Sequence, residues 1–212
     1  GYNKDVERDC YIVDATWDKK MEFETICPVK DIINSSDEKI ESSIYKIIDN
    51  IIKKNKTTLI FTNTRSGTER VVFNLMKKFK YSEEEIAAHH GSLSREIRLG
   101  VEEMLKKGEL KCVVSSTSLE LGIDIGYIDN VVQLGSPKSI TRAIQRIGRS
   151  GHRFYDVARG EIIVVNRDDL VECSVMLSSV KKKLLDKFST PKNALDVLAQ
   201  HIVGMSLNRK WK

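Results

Sequence analysis

Short runs of β-branched residues alternate with amphipathic stretches between residues 57 and 167. The runs have the length of buried strands, and the stretches repeat apolar residues at the spacing of a helix face. The pattern predicts five strands, at Thr57–Thr62, Ile86–His90, Lys111–Ser115, Asn130–Leu134 and Glu161–Val165. It also predicts three intervening helices, at Thr68–Phe79, from Ser94 to Gly108, and at Ser139–Ile147. Strands that alternate with helices favour right-handed crossovers, so we predict an α/β fold with a mainly parallel sheet and helices on both faces.

The flanks of this pattern are organised differently. The first residues are irregular, with a candidate edge strand at Glu22–Cys27, and Glu38–Lys54 has the pattern of an amphipathic helix. Further helices are predicted at Leu170–Phe188 and Asn193–Leu207. The predicted organisation is a linker over 1–36, the α/β domain over 37–167 and a helical extension over 168–212. Because the chain starts with glycine instead of methionine, we expect it to be part of a longer protein.

Composition narrows the class of protein only slightly. A net charge of +5 fits a polyanionic partner, but an ordinary solvated surface explains it equally well. The four cysteines lie far apart in the sequence, so we expect reduced thiols rather than a disulfide framework or a zinc site. No apolar run approaches the roughly 18 residues of a membrane span. We therefore expect a cytoplasmic protein without a membrane anchor.

Polar residues follow the first three predicted strands, where an open parallel sheet binds its ligands. Hydroxyl groups at such strand ends can cap the next helix. Together with backbone N–H groups and a helix N-terminus, they can also hold a phosphate. Contacts of this second kind would bind a phosphodiester backbone without reading the base sequence. The three segments are Asn63-Thr64-Arg65, His90-Gly91-Ser92 and Ser116-Thr117.

We expect a fourth polar segment at the same carboxyl edge, at the end of the helix after the fourth strand, where positive charge is unusually concentrated. Arg146, Arg149 and Arg153 lie within eight residues and are separated by glycines. Guanidinium groups this close repel one another unless they share an anion, and they bind phosphate oxygens in a bidentate manner. The alternative is that the arginines pair with carboxylates of the same domain. An arginine supplied across an interface can stabilise the charge of phosphoryl transfer.

Two groups needed by an ATPase are absent from the sequence. It contains no GxxxxGK[ST] phosphate loop and no DExH or DExD tetrad, which cradle the phosphates and Mg²⁺ in motor ATPases. We therefore expect the chain alone not to hydrolyse ATP. We expect no carboxylate ligands beside the adjacent residues His89 and His90, and we interpret the pair as one core and one loop residue.

Four strings, in this order, resemble helicase motifs IV to VI of superfamily 2. They are LIFTNTRSGTE, HHGSLS, SSTSLELGIDIG and QRIGRSGHR. The chain is most similar to the large helicase-related (Lhr) family of archaea and bacteria, and DCYIVDA, RDDLVE and NALDVLAQHIVGMSL extend the resemblance over nearly the whole chain.

The resemblance implies the second RecA-like domain of an ATP-dependent helicase acting on DNA or an RNA–DNA hybrid. It implies ATP and Mg²⁺ as cofactors, bound mainly by a first RecA-like domain. The implied partners are that domain and single-stranded or partly duplex nucleic acid. The C-terminal helices would lead toward a winged-helix domain. A nucleoid-associated role in DNA repair and movement from 3′ to 5′ are the usual expectations for the family.

The resemblance also assigns roles to single residues. Contacts with the nucleic-acid backbone fall on Asn63, Thr64, Arg65, His90, Gly91, Ser92, Ser116 and Thr117. The residues implied to bind ATP are Gly122, Asp124, Gln145 and Arg146. Arg149 matches the arginine finger for the γ-phosphate. The last finger is less defined, because many relatives read GRxGR whereas Gly151 is followed here by His152 and then Arg153. No metal ligand is implied.

Two other functions remain open on the sequence. A module that only holds nucleic acid would use the arginines for its phosphates. A stand-alone phosphate-ester or nucleotide enzyme on the same sheet would need a catalytic nucleophile or a metal cluster, and the sequence shows neither.

Overall fold

A computed structural model of the chain describes residues 2–3, 6–7, 20–121, 125–151, 157–182, 184–186 and 193–208. The strands are β1 (Tyr2–Asn3), β2 (Val6–Glu7), β3 (Met21–Ile26), β4 (Thr58–Phe61), β5 (Ile86–His89), β6 (Cys112–Ser115), β7 (Asn130–Leu134) and β8 (Ala158–Ile163). The helices are α1 (Asp37–Lys54), α2 (Arg65–Phe79), α3 (Arg95–Lys107), α4 (Ile140–Ile147), α5 (Arg167–Lys181) and α6 (Leu195–Asn208).

Six of the strands form one sheet in the order β3-β8-β7-β4-β6-β5, while β1 and β2 pair with each other in an antiparallel ribbon. All neighbours in the larger sheet are parallel. The predicted α/β class is therefore confirmed. The strand β4 lies between β6 and β7 rather than beside β5, the next strand in the chain, so the sheet is doubly wound around it.

Alternate residues of the central strand β4 pack into two different hydrophobic cores, one on each face of the sheet. Ile60 packs with Ile48 of α1 and Leu75 of α2 on one face. Leu59 and Phe61 pack with α3 and α4 on the other face. All three β4 residues are fully buried. Burial of such a side chain stabilises the fold by about 1.5–3 kcal/mol. Because successive side chains of a strand point to opposite faces, this stabilisation favours helices packed on both faces of the sheet.

Polar caps set the starts of the helices. The side chains of Ser36, Thr64, Ser94, Ser139 and Asn166 each accept a hydrogen bond from a backbone N–H in the first turn that follows. A cap of this kind satisfies one of the unpaired donors at a helix N-terminus. The helix α3 begins after Ser94 and ends at Gly108, whose φ of 69° is left-handed, as the sequence predicts.

Three elements, α2, β8 and α5, have a boundary that differs from the prediction by three residues or more, and several others differ by one or two. The helix α2 starts at Arg65 instead of Thr68, because Thr64 already caps it. The strand β8 covers Ala158–Ile163 instead of Glu161–Val165, because its pairing with β3 begins at Ala158. The helix α5 ends at Lys181 instead of extending to Phe188. Glycine and arginine at the start of β8 are weak strand formers, so only the pairing reveals that they belong to the strand.

The described cysteines carry free thiols. Cys112 and Cys173 are fully buried and pack in the hydrophobic core as small residues. Burial raises the pKa of both thiols, that of Cys173 to about 11. Cys10 lies outside the described residues. In the part of the chain that the structure describes, none of the helices has the length and apolar character needed to cross a membrane.

Candidate functional site

The polar segments after β4, β5 and β6 meet at the carboxyl edge of the sheet, because these three strands are neighbours. Arg65 Nη1 donates a hydrogen bond of 2.7 Å to Ser92 Oγ and so joins the first segment to the second. Asn63, Thr64, Arg65, Gly91, Ser92 and Thr117 are all exposed there. The edge thus presents hydroxyl groups, an amide and a guanidinium, all of which can bind phosphate oxygens.

The N-terminus of α2 lies in the middle of this edge. Thr64 Oγ1 accepts from the backbone N–H of Gly67 at 3.0 Å, so the helix-capping explanation holds for this hydroxyl. A Cβ atom on Gly67 would lie 2.9 Å from Thr64 Oγ1, so glycine is what allows the tight cap. The N–H groups of the first turn and the positive end of the helix dipole favour an anion beside it.

Two residues predicted to contact nucleic acid are buried instead. His90 is only 5% exposed, with Nε2 hydrogen-bonded to Glu69 and Nδ1 to the backbone N–H of Ser92. Ser116 is also 5% exposed, and its carbonyl oxygen accepts from Arg146 at 3.3 Å. In this conformation neither side chain is exposed at the edge, and both lie in loops that expose Gly91, Ser92 and Thr117.

The expectation that no carboxylate lies near the histidine pair is wrong, because each histidine contacts a glutamate in the folded chain. His89 is buried between Glu102 of α3, at 3.1 Å from Nε2, and Ser118, at 2.7 Å from Nδ1. Burial lowers the pKa of His89, although the hydrogen bond to Glu102 opposes the shift. The carboxylate partners lie on the two neighbouring helices, Glu102 at 13 residues from His89 and Glu69 at 21 residues from His90, and sequence inspection does not reveal contacts over such separations. The contact with Ser118 ties the end of β5 to the loop after β6.

Arg146 is buried in the interior at 1% exposure. Its Nε and Nη2 donate to the same oxygen of Glu120, at 3.0 and 2.8 Å. Its Nη1 donates to Gln133 Oε1 at 2.6 Å and to Asn63 Oδ1 at 3.5 Å. With the carbonyl of Ser116, each of the five guanidinium N–H donors has an acceptor within the domain. For Arg146 the carboxylate-pairing alternative is therefore the observed one, and the predicted contact with ATP has no spare donor in this conformation.

Glu120 and Gln133 escaped the sequence-based prediction. Glu120 is buried, and in the sequence it stands between two leucines, Leu119 and Leu121. It binds Arg146 and also lies 3.4 Å from Nε of Arg142. A carboxylate inside an apolar run is a recognisable signal of a buried ion pair, but its partner is invisible without the fold.

The end of α4 does not lie at the carboxyl edge, contrary to the expectation for the fourth polar segment. Ser150 Oγ donates to the carbonyl of Arg159 at 2.8 Å, and the Gly151 N–H donates to the carbonyl of Ile128 at 3.1 Å. Ile128 precedes β7 and Arg159 lies near the start of β8, so this is the opposite edge. A helix that follows a strand of a parallel sheet runs back along it, which brings its C-terminus to the amino ends of the strands.

The residues predicted on the ATP side are only partly described. Gln145 and Arg149 are partly exposed on the last turn of α4 and just after it. Gly122, Asp124, His152 and Arg153 lie outside the described residues. Within the described ranges no group of three or more His, Cys, Asp or Glu residues could hold a metal ion. Arg149 is thus a partly exposed cation at this edge, and the described residues include no three-residue group of metal ligands.

Comparison with known proteins places the chain among helicases. The helicase conserved C-terminal domain matches residues 41–153. An ATP-dependent helicase, Lhr-Core, of Methanothermobacter thermautotrophicus is 57% identical over 213 residues, which cover 100% of this chain and 25% of that protein. The chain therefore spans about a quarter of the length of that relative.

Solved structures give the same result. The Mycobacterium smegmatis helicase Lhr, bound to ssDNA and AMP-PNP, superposes with a TM-score of 0.82 at 33% identity over 89% of this chain and 25% of that one. The C-terminal domain of the DEAD-box protein Dbp5 has a TM-score of 0.57 at 16% identity, with 88% of this chain and 98% of that one covered. The second likeness concerns the fold alone and identifies it as RecA-like.

Proposed function

Because this chain belongs to the Lhr family of helicases and carries their conserved C-terminal domain, we propose that it is the second motor domain of an ATP-dependent DNA helicase. In this function it contributes one half of a nucleotide site and one half of a groove for a single strand. The other halves belong to a first RecA-like domain, which supplies the phosphate loop and the acidic tetrad that the 212 residues lack.

The observation that carries the proposal is the exposed carboxyl edge. Asn63, Thr64, Arg65, Ser92 and Thr117 present one positive charge, hydroxyl groups and an amide, close to the N-terminus of α2. These groups bind phosphates irrespective of base sequence, as a translocating motor requires. The M. smegmatis relative holds ssDNA in its solved structure, which favours a single DNA strand as the ligand of this edge.

The nucleotide side rests on Arg149. Its partly exposed guanidinium follows the last turn of α4, at the edge of the sheet opposite the strand-binding loops. A guanidinium placed against a γ-phosphate stabilises the charge that develops during phosphoryl transfer. ATP, when bound, supplies the free energy that closes the two domains. We assign Mg²⁺ to the first domain, since the described residues here provide no ligand set for it.

Closure of the two domains would change the distance between the strand contacts of this domain and those of the first RecA-like domain. The loops after β4, β5 and β6 hold phosphates of the tracking strand through the exposed edge. As Arg149 approaches the nucleotide, these loops move with it relative to the first domain. Release on opening would leave the strand shifted, because the contacts recognise a repeating backbone rather than a fixed sequence.

The composite site is tested by DNA-stimulated ATPase activity of the full-length protein. Wild type, Arg149→Ala and the isolated 212-residue chain are compared. We expect turnover in the wild type, a loss of about 10³-fold or more in Arg149→Ala, and none in the isolated chain. Normal turnover by Arg149→Ala refutes the finger, and hydrolysis by the isolated chain refutes the half-site. A full-length protein that binds DNA but never hydrolyses ATP favours the binding-module alternative.

The strand-binding edge is tested by the salt dependence of ssDNA binding in the full-length protein. Replacing Arg65 by alanine should weaken binding for all base sequences and reduce the slope of log K against log salt by about 1. The matched control is Arg159→Ala, an exposed arginine at the opposite edge that pairs with Glu22. An unchanged slope in Arg65→Ala, or an equal loss in the control, contradicts the assignment.

A further inference from the structure

We propose that Glu120 is a positioning residue that holds Arg146 across the sheet, so that α4 and the strand-binding loops move as one unit. The proposal rests on the proposed function and deepens it, because it names the contact through which nucleotide binding on one side changes DNA affinity on the other. Glu120 touches neither ligand. Its role is to fix the geometry of a guanidinium that connects both halves.

The connection is visible in the set of partners. Arg146 projects from α4, one turn before Arg149. Its guanidinium reaches the carbonyl of Ser116 in the loop after β6 and Asn63 in the loop after β4. Both of these loops carry exposed residues of the strand-binding edge. A single side chain therefore spans the distance between the helix that leads to Arg149 and the two loops at the opposite end of the sheet.

The guanidinium has little freedom to move independently of its partners. Its centre lies 5.0 Å from the centroid of the Phe61 ring in β4. Gln133, which accepts from Nη1, is itself held by donating to the carbonyls of Leu134 and Gly135, at 3.1 and 3.0 Å. Planar guanidinium donors have fixed directions, so a network in which every donor is used tolerates few arrangements. A displacement of α4 must then move the loops or break several hydrogen bonds together.

Glu120 is the member that makes the arrangement stable with a charged arginine. It is the carboxylate partner in the network, and its side chain is only 10% exposed. A buried cation is strongly unfavourable without a counter-charge, and a neutral acceptor would not supply one. The second oxygen of Glu120 lies 3.4 Å from Nε of Arg142, one turn earlier on α4, and this half-exposed contact contributes little beside the buried pair with Arg146.

The test compares ssDNA affinity of the full-length protein with and without a saturating non-hydrolysable ATP analogue. The ratio of the two dissociation constants measures coupling, and a fluorescent analogue verifies that nucleotide is bound. Four proteins are compared: wild type, Glu120→Gln, the apolar double variant Glu120→Leu with Arg146→Met, and Arg142→Ala as a control for the exposed partner. Thermal unfolding is recorded for each.

We expect Glu120→Gln to unfold on the order of 10 °C lower and to lose most of the coupling. The double variant should regain most of the lost thermal stability, because no charge remains buried without a partner. It should nevertheless show a coupling ratio near 1, since the bridge is absent. Arg142→Ala should keep both properties close to wild type.

Several results would overturn the inference. If the double variant regains coupling together with stability, the pair is structural only. If Glu120→Gln destabilises the protein but leaves the ratio unchanged, the bridge transmits nothing. If the double variant no longer binds the ATP analogue, Arg146 contacts nucleotide directly. The proposed function fails separately, by a wild-type protein that shows neither ATPase activity nor ssDNA binding, or by full turnover in Arg149→Ala.

Discussion

Replacing Gly160 by alanine tests how closely α4 must approach the sheet. Gly160 lies in β8, under the end of the helix that leads to Arg149. A Cβ atom built there would lie 2.7 Å from Ile147 Cγ1, 3.1 Å from Ile147 Cγ2 and 3.1 Å from the carbonyl oxygen of Val131. Ile147 is 2% exposed and packs in the core on that face, and the Val131 carbonyl belongs to a central strand. Neither neighbour is a flexible surface group that can swing away.

The expected cost follows from this geometry. Overpacking a filled core by one methyl group typically destabilises by about 1–3 kcal/mol, and the contact with backbone favours the upper half of that range. For a chain of this size, about 2 kcal/mol lowers the melting temperature by roughly 4–8 °C. The matched control is Gly100→Ala in α3, where an added Cβ meets nothing within 4 Å. There the change should stabilise by up to about 1 kcal/mol through helix propensity.

The assay is urea or thermal unfolding of the two variants beside the wild type, followed by Gly160→Ala combined with Ile147→Ala. The double variant should be more stable than the sum of the single changes predicts, because removing the Ile147 side chain relieves the clash. A Gly160→Ala protein as stable as Gly100→Ala, or strictly additive changes in the double variant, would show that α4 is not seated on Gly160 as described.

Three further predictions concern capping, ionisation and thiol reactivity. Ser94→Ala should lower the free energy of unfolding by about 1 kcal/mol, because the hydroxyl accepts from the Ile97 N–H at the start of α3, and denaturant unfolding measures it. Asp186 accepts from the Thr141 N–H and the Ser139 hydroxyl, which lowers its pKa to about 2. Its carboxyl NMR signal should therefore stay that of the ionised form between pH 7 and pH 4, and the stability it contributes is present above its ordinary pKa and lost only as the pH falls through about 2. Cys112 and Cys173 should resist alkylation at pH 8 in the folded protein and react after unfolding, as peptide mass mapping would detect.

For each of these three predictions, one experimental result would contradict it. A Ser94→Ala protein that unfolds like Ser42→Ala, an exposed mid-helix control, would remove the cap assignment. A titration of Asp186 centred near 4 would mean that its two hydrogen bonds do not form in solution. Labelling of Cys173 at the rate of an exposed thiol would contradict its burial.

The local elements could be predicted because their causes are local. A buried strand such as β4 is a short β-branched run, and an amphipathic helix such as α3 repeats apolar residues at the spacing of its own turns. Ser94 and Gly108 mark the ends of α3 through hydrogen bonds and a left-handed φ that depend on a few neighbouring residues. The same reasoning misplaced β8, because the start of that strand depends on pairing with β3, more than 130 residues away along the chain.

The candidate site, too, could be predicted only in part from the sequence. Thr64 and Arg65, two of the exposed residues that we propose to bind phosphate, follow a strand that the pattern predicts, and the carboxyl edge of a parallel sheet brings them close to the other polar segments. The sequence thus determined the fold class and the three polar segments that meet at the carboxyl edge, but not that the segment with Arg149 lies at the opposite edge. Only the tertiary structure decided that Arg146 is buried on Glu120 while its neighbour Arg149 is partly exposed. Both arginines look alike in the sequence. The burial of Arg146 depends on Glu120, which lies 26 residues away in the chain but close in space.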